Sequence, residues 1–552
     1  MNRPEIVAAL RELSALLELR GGNKVKVRAF ARGARALEGS KVPIEELVEG
    51  DALTKLPGIG VALAKQIDEL HRTGSSELLR TMRQGLPSGV LELAQIGGIG
   101  LHALETLHTE LGIASLEDLR LAAEAGRLRD VKGFGEKKEA KILTAITAYA
   151  TDSPQLLLGE GHRLAAALAE DLASLPGIER VDVAGALRRG LELSPGIDLV
   201  VTAPEVESAR TRIAAHPRFA SGSSTEDGCD LRLPDGNRIR IAVCTPSQHA
   251  ATWIERTGDE AHIAALRARS GRPLAEIPAR TESDLYAQLG LGYIPPELRE
   301  GAPVEVPDDL VGLADLRGFV HCHTTWSDGA HTIEEMARAA EARGAAFITI
   351  TDHSRTAHYA GGLDVDRLQR QWDEIAAVQE RVGIRILRGT ESDILADGAL
   401  DFPDAILEQL DVVVASIHNR YKQGEDAMTA RLLRAMQWPM FKIWGHPLGR
   451  LVTSRPPVAC RVEEILDALA GSRGAIEING SPARLDLEPR WSRAARERGL
   501  RFVLSVDAHA TRELDNARYA VMMARRAGLR RDDVLNTKDA SEFMRDVRPV
   551  RA

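Results

Sequence analysis

Over its first 150 residues the chain repeats one pattern: apolar positions three and four apart, interrupted by short glycine turns. Stretches such as "VALAKQIDEL" carry the 3.6-residue period of an amphipathic helix. The turns read "LPGIG" (56–60), "IGGIG" (96–100) and "VKGFG" (131–135). From residue 151 the rhythm changes. A helical stretch, "GHRLAAALAEDLASL", leads through a turn at "PGIE" to β-runs "RVDVAG", "IDLVV" and "RIRIAV", which is an α/β unit. After "LADLRG" the alternation becomes regular, with β-runs at "FVHCH" (319–323), "FITITDH" (347–353), "IRILRGTE" (384–391), "VVVASIH" (412–418), "FKIWGH" (441–446), "GAIEIN" (474–479) and "FVLSVDAH" (502–509). Helical patterns such as "TIEEMARAAEARG" and "RVEEILDALAGSRG" separate several of them. Strand–helix alternation predicts a parallel sheet, and seven repeats predict closure into a barrel.

These shifts predict a multidomain α/β protein: helical regions 1–80 and 81–150, an α/β unit 151–245, a region 246–300, a linker 301–315 at "EGAPVEVPDD" (300–309), and a barrel 316–552. A chain of 552 residues has room for about three or four such domains. Cys229, Cys244, Cys322 and Cys460 show no paired spacing, which excludes a disulfide framework and a CxxC zinc site. No apolar run approaches the ~20 residues of a membrane span, and "MNRPEIVAAL" lacks a secretory core; a cytoplasmic protein with no membrane partner is expected. The formal net charge is -9, and residues 1–150 hold 21 Lys+Arg against 20 Asp+Glu. A nucleic-acid partner therefore has to be held by local groups, without a strong overall field.

The glycine turns supply such groups. Gly58/Gly60, Gly98/Gly100 and Gly133/Gly135 permit a tight turn and close backbone approach. The amides opening the following helix then make an anion site that fits a DNA phosphate. A single GxG is explained by an ordinary helix–helix turn. Three with helical flanks point to tandem helix-hairpin-helix DNA-binding elements.

Nearly every barrel run ends in a metal-capable residue. His321 and His323, two apart on one strand, face the same side, and Asp328 follows in "TTWSDG". With His353, Glu391, His418, His446, Asp507 and His509 they make nine groups expected at one barrel mouth. Histidine with carboxylate suits Mn2+, Zn2+ or Fe2+, and nine groups can hold two or three divalent ions. Asp352 and Asp393 are expected to orient ligands, Asp401 to cap a loop, Glu477 and Asn479 to line or satisfy the pocket. Arg450 in "HPLGRL" is a candidate for substrate phosphate or a plain surface arginine.

The stretch "GALRRGLELSPGIDLVV" (185–201) has the outline of a nucleotidyl-transfer palm, and "TESDLYAQLGLGYIPPELRE" (281–300) follows. With the hairpins, these segments resemble the bacterial family X DNA polymerases, relatives of DNA polymerase beta that carry a PHP (polymerase and histidinol phosphatase) domain behind the polymerase. The resemblance implies a helix-hairpin-helix N-terminal region, a polymerase-beta-like palm and thumb, and a seven-stranded PHP barrel. "HCHTTWSDG" matches the opening motif of that barrel.

The palm departs from the family. Its nucleotide turn G-S-x-R-R-G reads Gly185-Ala186-Leu187-Arg188-Arg189-Gly190, and its G-D-x-D metal motif reads Pro195-Gly196-Ile197-Asp198. The third carboxylate position falls at Arg240, with "CDLRL" (229–233) as the preceding strand of a hairpin turning at "PDGN". T-G-S…H-N reads Thr257-Gly258-Asp259…His262-Ile263, and the lyase lysine falls at Gln66, beside Lys65. Two-metal phosphoryl transfer needs a carboxylate cage, so a degenerate nucleotide site (Gly185, Arg188, Arg189, Asp198) that binds no dNTP is expected. The resemblance then implies a PHP-dependent 3′-5′ exonuclease acting on DNA 3′ ends, gapped or nicked duplex, with Asp328, His353, Asp507 and Arg450 as catalytic candidates. The alternatives are a gap-filling polymerase, a phosphatase of histidinol phosphate type, and a DNA-binding scaffold whose metals only stabilise the barrel.

Overall fold

A computed structural model describes residues 1, 3–38, 40, 42–50, 52–87, 90–94, 99–114, 116–151 and 155–549. The chain forms two compact units. Met1–Leu156, Leu168–Asp182 and Pro195–Pro246 make the first, and Leu157–Ala167, Val183–Ser194 and Ser247–Ala552 the second.

In the first unit, helices from Arg3–Leu19 to Glu136–Thr151 share one apolar cluster running from Ile6 to Ile142. Its first and third glycine turns are built alike. A 3-10 turn (Leu53–Lys55; Leu128–Asp130) precedes the motif, and Gly58 and Gly133 both stand at φ 93°, the left-handed region that glycine enters without a Cβ clash. The residue between the glycines points inward, so Ile59 and Phe134 are buried. Gly60 precedes helix Val61–Thr73 and gives its first-turn amides no side-chain acceptor, although its carbonyl takes the Leu63 amide. Gly135 likewise precedes Glu136–Thr151. In the middle motif Gly100 precedes Leu101–Leu111 and Ile99 is buried, while Gly98 lies outside the described residues. Lys65 is exposed on helix Val61–Thr73 and Gln66 is half-buried.

A five-stranded sheet follows, in the order β1-β2-β5-β4-β3, with β1 Arg180–Ala184, β2 Ile197–Thr202, β3 Ser221–Thr225, β4 Gly228–Arg232 and β5 Arg238–Cys244. β4 and β5 form the antiparallel hairpin around "PDGN", and β5 lies parallel to β2 with Arg240 opposite Asp198.

In the second unit seven strands close a parallel barrel: β6 Gly318–Cys322, β7 Phe347–Ile350, β8 Arg385–Asp393, β9 Val412–Ser416, β10 Ile443–Trp444, β11 Ala475–Asn479 and β12 Arg501–Ala508. One apolar cluster draws Val320, Phe347, Leu387, Val412, Val414, Ile443, Ala475 and Val503 from all seven strands. Phe543 and Val547 of helix Ala540–Val547 join it, with Phe543 stacked 4.9 Å from Phe347 at the start of β7. That helix stoppers the amino ends of the strands, which leaves the carboxyl ends for chemistry. A second cluster, from Ala251 to Ile294, belongs to the segment ahead of the barrel.

Candidate metal centre

The structure brings the nine predicted groups together at the carboxyl ends of the barrel strands. They fall into three overlapping sets: His323, Asp328, His353 and His509; His321, His323, Glu391 and Asp507; His353, Glu391 and His418. Within each set one atom per residue lies within 4.8 Å of the others. His446 joins through Glu391, its Nε2 at 2.9 Å from Oε1.

Glu391, wholly buried at the end region of β8, is the hub. Its Oε1 faces His321 (3.2 Å) and His418 (3.2 Å), and its Oε2 faces His353 (2.9 Å) and His323 (3.5 Å). Two oxygens aimed at two sets of imidazoles suit a carboxylate shared between neighbouring cations.

Several of these atoms are buried without a hydrogen bond: His321 Nε2, both ring nitrogens of His323, His353 Nδ1, His446 Nδ1 and Glu391 Oε2. Buried polar atoms are normally paired, because losing water without a partner costs about 1–3 kcal/mol each. His321, His323, His353 and Glu391 belong to sets whose ligand-capable atoms lie within 4.8 Å of one another, an arrangement that a cation would complete. The donor set of imidazole and carboxylate fits divalent transition metals.

The backbone bends to achieve it. Five non-glycine residues have positive φ among those described, and three belong to the cluster: His321 (63°), His446 (24°) and Asp507 (50°). Such conformations cost about 1–3 kcal/mol and concentrate where a side chain has to be aimed against the local preference.

A second ring of contacts holds the nine groups. Glu477 Oε1 accepts from His321 Nδ1 at 2.6 Å and from the Ser505 hydroxyl, and its other oxygen accepts the His446 amide. Asp393 lies 2.5 Å from His418 Nδ1. Asp352 takes the amide and hydroxyl of Thr324, the Ser327 hydroxyl and the Gln371 amide, which fixes the loop leading to Asp328. Asp401 accepts the Thr356 amide.

Burial and charge set the protonation. Burial, with His353 and His509 beside it, pushes His323 down to about 3, and burial near Arg484 pushes His446 down to about 4. Both rings are neutral at pH 7, the form that can donate to a metal. Burial opposes charge on His418, yet Glu391 and Asp393 outweigh it and raise the ring to about 10. Asp328, despite burial, is drawn down to about 2 by His509 and its imidazole neighbours.

Arg450 stands elsewhere. Its guanidinium bonds the Arg484 and Leu485 carbonyls and pairs with Glu192 (3.1 Å) and Glu488 (3.3 Å), so its charge is spent on structure. The arginine at the centre is Arg484. It is largely buried, its Nε lies 3.1 Å from Asp507 Oδ2, and its Nη1 is buried without a hydrogen bond. "SPARLD" gives no signal of this, because a loop arginine after β11 reads as solvated.

The residues expected to form a degenerate nucleotide site are committed to internal partners. Arg240 grips Asp198 through two bonds of 2.7 and 2.8 Å, and Arg238 pairs with Asp230 on the same sheet face. A Cβ at Gly196 would sit 2.5 Å from the Arg238 carbonyl oxygen, so the lost carboxylate has no room. Gly185 opens the short helix that carries the two arginines. Arg188 lies over the Trp253 ring at 3.4 Å and pairs bidentately with Glu282, which Arg299 also grips. Arg189 donates to the Thr257 carbonyl, and Asp259 caps helix Glu260–Ser270.

Comparison with known proteins decides the ancestry. The chain is 32% identical to "DNA polymerase/3'-5' exonuclease PolX" of Bacillus subtilis (strain 168), covering 99% of this chain and 100% of that one. The chain belongs to the PolX family.

Family-wide domains agree with this PolX assignment: a helix-hairpin-helix domain at 1–76, a SAM-like helix-hairpin-helix tandem at 90–147 and a PHP domain at 320–481. A probable phosphatase of Thermoanaerobacter sp. (strain X514) is 32% identical over 39% of this chain and 89% of its own length. A probable phosphatase of Photobacterium profundum is 30% identical over 36% and 79%. This PolX-family chain thus carries a PHP domain, a metal-dependent phosphoesterase domain, behind hairpin domains of a DNA-binding type. Among the described residues no helix is long and apolar enough to cross a membrane.

Proposed function

We propose that this protein is a metal-dependent 3′-5′ exonuclease that trims DNA ends, gapped or nicked duplex included, with its barrel, and that its palm neither polymerises nor binds dNTPs. The observation that carries this reading is the buried, unbonded lone pairs of His321, His323, His353, His446 and Glu391 set against the neutralised Asp198–Arg240 pair.

His321, His323, Asp328, His353, Glu391, His418, His446, Asp507 and His509 would hold two or three divalent ions, Mn2+, Zn2+ or Fe2+. Cations held there supply the positive charge that phosphodiester hydrolysis needs at the attacking and leaving oxygens. Arg484 binds and orients the substrate phosphate through its unpaired Nη1, while Asp507 fixes the guanidinium from behind. The helix starts behind Gly60, Gly100 and Gly135, where the preceding residue offers no side chain to the first amides, take backbone phosphates.

The test offers purified protein a labelled 3′ end with manganese, then the same end with template and dNTPs. Shortening in both supports the reading; extension without shortening overturns it. A small-molecule phosphatase is the second reading, favoured by the probable phosphatases that match about two fifths of the chain. Rapid turnover of a phosphate monoester with intact oligonucleotides would select it.

A further inference from the structure

We propose that Tyr359 is a stacking platform for the terminal nucleobase, the element that tells the barrel it holds a nucleic-acid end; this rests on the nuclease reading above.

Aromatic residues make up only 4% of the chain, and among the described ones only Tyr293, Tyr359 and Trp438 are exposed. Tyr359 is 72% exposed, the highest value for any large hydrophobic side chain among the described residues. It stands beside the metal centre, its ring centroid 6.3 Å from the ring of His353 and 6.5 Å from that of His418. A nucleotide whose phosphate reaches those histidines brings its base within range of that ring.

The loop that presents it is fixed. Its 3-10 turn His358–Ala360 ends on buried Ala360 and is flanked by buried Ala357 and Leu363. The Ser354 amide donates to the Glu391 carbonyl (3.0 Å), and the Leu363 amide donates to the His353 carbonyl (2.8 Å), so both loop ends are tied to ligand-bearing backbone. The Thr356 amide is held by Asp401 (2.7 Å), and Arg367 holds the Gly361 carbonyl (2.6 Å). Gly362 passes so close to Ser354 that a Cβ there would lie 2.0 Å from its carbonyl oxygen. A rigid turn holding an open aromatic face loses little entropy when a base stacks on it. Every base has a π-face, so such a platform serves a nuclease without sequence preference. A monoesterase acting on a small substrate has no use for it.

The experiment uses the full chain and two oligonucleotides, one with a normal 3′ nucleotide and one whose 3′ residue is abasic. Tyr359→Ala should lower kcat/KM about tenfold on the first and less than about twofold on the second, with Tyr359→Phe near wild type on both. Equal loss on both substrates, or no loss on either, overturns the proposal. A second readout is independent of turnover: an oligonucleotide ending in 2-aminopurine, bound in the presence of chelator. Quenching with wild type that is lost in Tyr359→Ala supports stacking, and unchanged fluorescence on binding to wild type overturns it. Quenching without cleavage in manganese would remove the nuclease reading and leave the platform standing.

Discussion

Two carboxylates meet two arginines on one face of the five-stranded sheet, whereas three carboxylates meet six imidazoles at the barrel mouth. Both regions concentrate acidic side chains at strand ends or along adjacent strands. They differ in what the carboxylates face. At the sheet, Asp198 and Asp230 already have guanidinium partners, and a cation arriving there would have to displace an arginine. At the barrel the partners are imidazoles, of which His323 and His446 are held neutral and the others can release a proton to a cation as a guanidinium cannot, and unbonded polar atoms remain in a buried space. The lesson is that carboxylates alone do not make a metal site; the charge of their neighbours decides whether they wait for a cation or already have one.

The sharpest way to break this comparison is to empty the barrel. His321→Ala/His323→Ala should abolish phosphodiester cleavage, by more than the 10–100-fold that loss of a mere supporting contact costs, and should lower bound metal measured on the same preparation. Retained cleavage would place the chemistry elsewhere.

Next comes the cluster that has taken over the arginines of the nucleotide turn. Glu282 is buried between Arg188 and Arg299; burial opposes its charge, but the two guanidiniums hold its carboxyl down to about 2. A depressed carboxyl stabilises the fold fully above its ordinary value near 4.5 and loses that contribution as pH falls toward 2. Glu282→Gln should therefore destabilise the protein by about 3 kcal/mol at pH 7, with the gap to wild type closing between pH 4.5 and 2. Urea unfolding at pH 7, 4 and 3 measures it, and a constant gap would disprove the role given to Glu282.

Arg484→Met should lower kcat/KM about 100-fold while leaving metal content close to wild type, since the residue is assigned to phosphate and not to the ions. An equal fall in metal content would make it a support for Asp507 alone. The smallest effect is expected at the palm. Gly196→Asp combined with Arg240→Asp restores the family's carboxylates on paper, yet primer extension should stay absent, because the new Cβ meets the Arg238 carbonyl at 2.5 Å and Arg188 remains bound to Glu282. Extension with dNTPs would show that charge alone had silenced the site.

Much of this was legible in the residues. The barrel was visible as seven β-runs, and the metal groups as histidines at their ends, because a closed parallel barrel repeats one local pattern and delivers each strand end to one mouth. That Asp198 and Arg240 stand at metal positions of one palm was legible from the family pattern, but their direct pairing comes from the parallel register of β2 against β5, which no local turn sets. Arg484 and Arg450 could not be ranked that way. Both lie in loops, and nothing local distinguishes a guanidinium that turns to the centre from one that braces Glu192 and Glu488.

The sequence by itself thus determined the strand repeat, the histidines and carboxylates at its ends and the absence of a carboxylate at positions 196 and 240, all of which follow from local periodicity and residue chemistry. Only the tertiary structure decided that Glu391 is the hub, that Arg484 reaches the centre, that Gly196 has no space for a side chain and that Tyr359 stands open beside the histidines. Those are facts about which atoms are neighbours across long stretches of chain, and such distances are fixed by packing, not by the order of residues within any one segment.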